Sequence, residues 1–167
     1  MTAASKRLVV GVTGHRKLAD PGLLAAKIDA VIDEIVRQAA APPLRLVVLS
    51  PLAEGADRLV AARALALPGS ALEVVLPLGE TDYEADFADE ASKEEFRSFL
   101  SRAKTAYRIS GPASRKGAYA AAGRFVVDHC DVLIAVWDGQ IANGPGGTAD
   151  VVAYARSRAR RLFIIEP

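Results

Sequence analysis

The sequence predicts an α/β protein built on a single doubly wound, mostly parallel sheet with helices on both faces. Three observations carry that prediction. Short β-branched apolar runs alternate with longer alanine-rich amphipathic stretches, the pattern of βαβ units. Runs such as "VLIAV" and "LFII" are apolar at successive positions, as expected of strands covered on both faces. At 167 residues, 51% hydrophobic and 25% charged, the chain suits one globular domain over 1–167 with a substantial core.

In chain order the predicted strands are "RLVVGVT" (7–13), "LRLVVLS" (44–50), "ALEVVLPL" (71–78), "TAYRIS" (105–110), "CDVLIAVWD" (130–138) and "RLFIIEP" (161–167). The predicted helices fill 21–40, 54–66, 92–103, 115–128 and 147–158. "ADPG" offers Asp20 as a cap with Pro21 in the first turn, and "ASKEEF" offers Ser92 with Glu95 as a capping box. The acidic stretch "PLGETDYEADFADEAS" (77–92) is the longest without a clean period; following a strand end, it reads either as a lid or as an exposed loop. "AAAPPL" (39–44) reads as a stiff connector.

Charge and cysteine content exclude several classes. The 21 Lys and Arg against 20 Asp and Glu leave a net charge of +1, without the bulk positive field that drives nonspecific nucleic-acid binding. Cys130 is the sole cysteine, which removes a disulfide framework and a cysteine-built zinc site. No signal peptide or membrane span is expected, since the opening apolar run is short and meets "TGHR" at once. A cytoplasmic protein without membrane partners is therefore expected. His15 and His129 lack companion carboxylates at ligand spacing, so no metal is expected, and no cofactor is inferred.

The chemistry-bearing candidates cluster at the carboxyl ends of predicted strands. In "GVTGHRKLADPG", Gly11 and Gly14 are placed in the turn after the first strand, where a phosphate could approach the backbone. His15 and Arg16 follow as candidates for an anionic ligand, or as a polar turn. The dinucleotide fingerprint is absent, because Val9 stands where its first glycine belongs. In "LSPLAEGADRLV", Ser50 and Gly55 form a loop leading to a helix start with Glu54, Asp57 and Arg58, which reads as a ligand contact or a surface ion pair. Trp137 and Asp138 end a strand, where they could stack on a base and bond a sugar, or merely cover the core.

"NGPGGTADVV" asks why three glycines and a proline stand between an apolar run and a helix. Gly144, Gly146 and Gly147 free the backbone, Thr148 supplies a hydroxyl, and the following helix aims its positive end at the loop, which together suggest a phosphate cradle. The lysine of a triphosphate P-loop is missing, so a monophosphate or diphosphate is expected.

Taken in order, "GVTGHR", "SPLAEGADRLV", "RKGAYAAAGRFVVDHCDVLIAVWDG" and "PGGTADVV" resemble the SLOG superfamily of Rossmann-like nucleotide-binding domains over nearly the whole chain. That superfamily includes the LOG phosphoribohydrolases, the DNA-processing protein A family, and sensor domains of channels and antiviral systems. "SPLAEGADRLV" is similar to the "SGLARGID" element of the DNA-processing proteins, with Pro51 and Glu54 departing from it. "PGGTADVV" is similar to "PGGxGTxxE" of the phosphoribohydrolases, and Arg115 and Lys116 are similar to their upstream Arg-Lys pair.

The departures limit what the resemblance implies. Val151 stands where those enzymes place a catalytic glutamate, and Asp150 lies one residue away, about 100° around a helix. Three readings follow: binding of a nucleotide or nucleotide-derived ligand as a sensor module; N-glycosidic hydrolysis of a nucleoside 5'-monophosphate with Asp150 as the catalytic carboxylate; and single-stranded DNA handling. The net charge of +1 and 6% aromatic content argue against the last. A homo-oligomer stays open.

Overall fold

The structure is a computed structural model that describes residues 5–39, 44–141 and 146–167. Six parallel strands form one sheet: β1 (Lys6–Gly14), β2 (Leu44–Ser50), β3 (Ala71–Leu76), β4 (Ala103–Arg108), β5 (Val132–Val136) and β6 (Arg161–Ile165), in the order β4-β3-β2-β1-β5-β6. Among the described residues the helices are α1 (Pro21–Gln38), α2 (Ala56–Leu65), α3 (Glu80–Glu84), α4 (Glu90–Arg102), α5 (Arg115–His129) and α6 (Thr148–Ser157). The architecture is doubly wound and Rossmann-like.

Two apolar layers sandwich the sheet. Leu24, Ile28, Val60 and Phe96 carry α1, α2 and α4 onto one face, while Ala122, Val126, Val151 and Ala155 carry α5 and α6 onto the other. The chain changes face after β4, when α5 leads back to β5 beside β1. Strand order therefore reverses between β1 and β5, and it is at such a reversal that open α/β sheets leave a crevice beyond the strand ends.

The α1 start is capped as its sequence indicates. Asp20 Oδ1 accepts from Leu23 N–H at 3.0 Å, with Pro21 leading the helix. At α4 a different residue wins. The helix begins at Glu90, where Asp89 accepts from Ser92 N–H at 2.8 Å, so Ser92 and Glu95 lie inside the helix instead of capping it.

The 77–92 stretch is not an extended loop. It contains α3, and Tyr83 and Phe87 turn inward, Tyr83 packing edge-on against both Phe87 and Phe96. Burial of aromatic surface orders a segment whose charges gave no period.

Two further expectations shift. Gly11 and Gly14 belong to β1, not to the turn beyond it. A Cβ on Gly11 would sit 2.6 Å from Val126, and one on Gly14 2.5 Å from Ala56, so both glycines admit helices against the strand. The connector read at 39–44 lies mostly outside the described residues.

Candidate functional site

A cavity of about 350 Å³ opens where β1 and β5 end, within the size range of small-molecule sites. Of the residues singled out from sequence, it gathers Gly14, His15, Arg16, Asp57, Trp137, Asp138, Gly146, Gly147 and Thr148. Gly144 lies outside the described residues.

Ser50, Gly55 and Arg58 stand behind the wall instead of on it. Ser50 is fully buried and its Oγ accepts from Leu52 N–H at 3.0 Å. Leu52 holds a left-handed backbone (φ 58°), uncommon for a residue with a side chain. Arg58 Nε donates to Leu52 C=O at 3.0 Å, so Ser50 and Arg58 grip this residue from both sides. The same guanidinium donates through Nη1 to Ser92 and Glu95 and lies 4.5 Å over the Phe87 ring. It is 3% exposed, so it is an anchor joining α2 to α4 and not a surface charge. Gly55 has φ 82°, and a Cβ there would lie 2.2 Å from Arg16 C=O; only glycine lets this loop dock on the β1 tip. Ala56 N–H completes the docking with a 3.0 Å bond to His15 C=O.

Arg115 and Lys116 also do not line the cavity. Arg115 donates to Asp82 at 2.6 Å and to Asp86 at 3.2 Å, clamping α5 to α3, and Lys116 is exposed.

Asp57 is the buried charge-bearing group of the cavity, only 4% exposed. Burial pushes its carboxyl from the ordinary 3.8 up to about 7, against the opposing pull of Ala53 N–H, Arg16 and Arg58. Tyr83, whose hydroxyl donates to Pro51 C=O at 3.0 Å, is pushed up by burial and then by Asp57. These two groups give one wall a neutral, hydrogen-bonding character below about pH 7.

The opposite wall is wetter. Gln140 N–H donates to Asp138 Oδ1 at 3.0 Å and, with His15, holds that exposed carboxyl below its ordinary range. His15 Nε2 lies 3.1 Å from Asp138 Oδ1. Trp137 donates from Nε1 to Gln140 C=O at 2.9 Å, which fixes the indole, and Ile141 beside it is 92% exposed. Arg16 is exposed above the Tyr119 ring at 5.6 Å and, among the described residues, makes no ion pair.

Gly147 caps α6 without a side-chain bond to the first turn. Gly146 needs its positive φ of 87°, and a Cβ there would press on Ala120 N at 3.0 Å. Asp150 does not line the cavity; its Oδ2 accepts from Gly146 N–H at 3.1 Å, holding the loop against its own helix. Val151 lines the cavity instead, packed into the space that Gly123 leaves open.

Sequence reasoning missed Tyr83 and Tyr119 as wall residues. The spacing of Tyr83 and Phe87, one helical turn apart in an acidic stretch, was the available signal for the first. Tyr119 offered none beyond its place on a helix; its hydroxyl donates to Asp86, and burial with that carboxylate pushes it up to about 12.

Together these features define a class: a doubly wound α/β protein with a cavity at its strand-order reversal that is lined by apolar and polar side chains. No protein-family model matches the chain, and no curated protein matches it. No helix among the described residues is long and apolar enough to cross a membrane.

Proposed function

We propose that this chain is a SLOG-like module that binds a nucleotide or nucleotide-derived ligand in the cavity between β1 and β5, and that it binds such a ligand without turning it over. The observation that carries the reading is the convergence on one cavity of the Arg16 guanidinium, which makes no ion pair among the described residues, and the first turn of α6, which Gly147 caps without a side chain. Both are donors to an anion: a phosphate accepts from Gly147 and Thr148 N–H, and Arg16 neutralises it. Trp137 offers a face for a base, and Asp57 and Asp138 offer partners for sugar hydroxyls.

Hydrolysis is the weaker reading. A ribosyl cation needs a preorganised carboxylate, and Asp150 is engaged on Gly146 N–H while the apolar Val151 faces the cavity.

Thermal-shift and calorimetric titration with nucleoside mono- and diphosphates test both. A ligand at about 100 times its Kd should add about 2.7 kcal/mol of stability, and Gly147→Val should abolish that gain while leaving the fold. No stabilisation by any nucleotide, or equal binding by the variant, overturns the cradle. Steady release of free base at about 1 per second or faster, abolished by Asp150→Asn, overturns the binding-only reading in favour of the hydrolase.

A further inference from the structure

The sheet ends in two edges of different character. At β4 the exposed positions include Lys104 and Arg108, with Arg102 just before the strand. Like charges along an edge repel a second copy of the same strand. At β6 the sequence is Arg161-Leu162-Phe163-Ile164-Ile165, and Ile164 is 44% exposed. Leu23, 58% exposed, lies in the first turn of α1, and Lys27 one turn on donates to Glu166 C=O at 3.0 Å, which brings this helix end to the tip of β6.

The backbone of β6 has a defined parity. Ile165 C=O accepts from Trp137 N–H at 3.0 Å, so Ile165 directs its polar groups toward β5. Alternation along the strand gives Arg161 and Phe163 the same direction. Leu162 and Ile164 therefore point their N–H and C=O groups away from the sheet, and among the described residues no strand meets them.

We infer that the β6 edge is a self-association surface, on which a second copy of this chain adds its own β6 antiparallel about a two-fold axis at Phe163. That register is the one the parity selects. It sets Leu162 opposite Ile164 of the second copy, so outward groups meet outward groups and exchange N–H···O=C bonds, continuing the sheet across the axis. The exposed Ile164 side chain then packs against Leu162 on the same face. Two residues further out, Arg160 falls opposite Glu166 of the second copy, so the flanking charges are complementary under the same operation. Nothing in this inference depends on the nucleotide reading.

Sedimentation velocity across a concentration series tests it, with circular dichroism and thermal midpoint as controls for folding. Ile164→Pro deletes an outward N–H that takes no part in the β5 ladder, and Ile164→Lys sets like charges near the axis. Each should weaken self-association by at least about tenfold, since every substitution enters the interface twice. Glu166→Arg alone should weaken it, and Glu166→Arg with Arg160→Glu should restore it. A parent chain that stays monomeric at the highest concentration overturns the inference. So does a dimer that all these substitutions leave intact.

Discussion

The two walls of the cavity are built on opposite plans. On the side of α2, α3 and α4, charged groups bond to residues distant in sequence: the buried Arg58 ties Leu52 to Ser92 and Glu95, Glu54 accepts from Ala88 N–H and Ser92, and Arg115 spans to Asp82 and Asp86. On the side of β5 and α6, side-chain bonds are fewer and, apart from the contact of His15 with Asp138, short-range, and Asp138, Gln140 and Ile141 face water. The difference separates shape from recognition. One wall spends its polar groups on holding a fixed form, including the left-handed Leu52, and the other keeps donors free for a ligand. Substitutions on the first should therefore act through stability, and those on the second through binding.

The largest expected effect comes from removing the anchor of the first wall. Arg58→Met leaves Leu52 C=O and the Ser92 acceptors without a buried donor, and each buried acceptor left unpaired typically costs about 1–3 kcal/mol. Urea unfolding should show a lower midpoint at an unchanged slope. A loss under about 1 kcal/mol, on the scale of a surface ion pair, would mean that the two walls do not differ in kind.

Asp57 gives the comparison a pH signature. Its folded carboxyl titrates at about 7 and its unfolded one near 3.8, so between those values the folded chain holds a proton that the unfolded chain releases. Stability must then fall as pH rises from about 4 to about 7 and stay level above, a contribution on the order of 4 kcal/mol. Asp57→Asn cannot ionise and escapes this loss. The variant's stability relative to the parent should climb through that window, as read by denaturant midpoints at each pH. A difference independent of pH would place a solvated, ordinary carboxyl at this position.

The sheet was legible because its strands are continuous apolar runs, and α1 because Asp20 and Pro21 signal its start locally. What escaped depended on partners distant in sequence. Asp57 and Arg58 read as a ligand contact or a surface ion pair and not as buried anchors, since such residues are seldom buried unpaired. The groups that satisfy Arg58 on α4 lie 34 to 37 residues on, beyond any local pattern. The same distance explains the misplaced cap: Ser92 and Glu95 have the spacing of a capping box, but they serve Arg58 while the neighbouring Asp89 closes the helix. Among the candidate site residues, those at the tips of β1 and β5 gathered at the cavity, whereas Ser50 at the tip of β2 is buried behind its wall. Of those on helices, Asp57 and Thr148 reach the cavity while Arg58, Arg115 and Lys116 do not, because helix rotation and distant acceptors decide where they point.

The smallest effect should come from Asp150, and its direction separates the two walls most cleanly. The carboxylate sits in the first turn of α6 and accepts one backbone N–H from Gly146 at 3.1 Å. Asp150→Asn keeps an acceptor for that N–H and loses only the charge near the positive helix end, a contribution of about 0.3–1 kcal/mol. Stability should barely change. For an anionic ligand on the same turn, however, the lost charge is a lost repulsion, so the variant should bind a nucleoside monophosphate as tightly as the parent or a few-fold more tightly. The gain should shrink as salt is added, since exposed charges are screened within about 8 Å at physiological ionic strength. Calorimetry at two salt concentrations reads both features. Weaker binding by Asp150→Asn would mean that the carboxylate leaves Gly146 to contact the ligand, and the open wall would then hold its own preorganised acid.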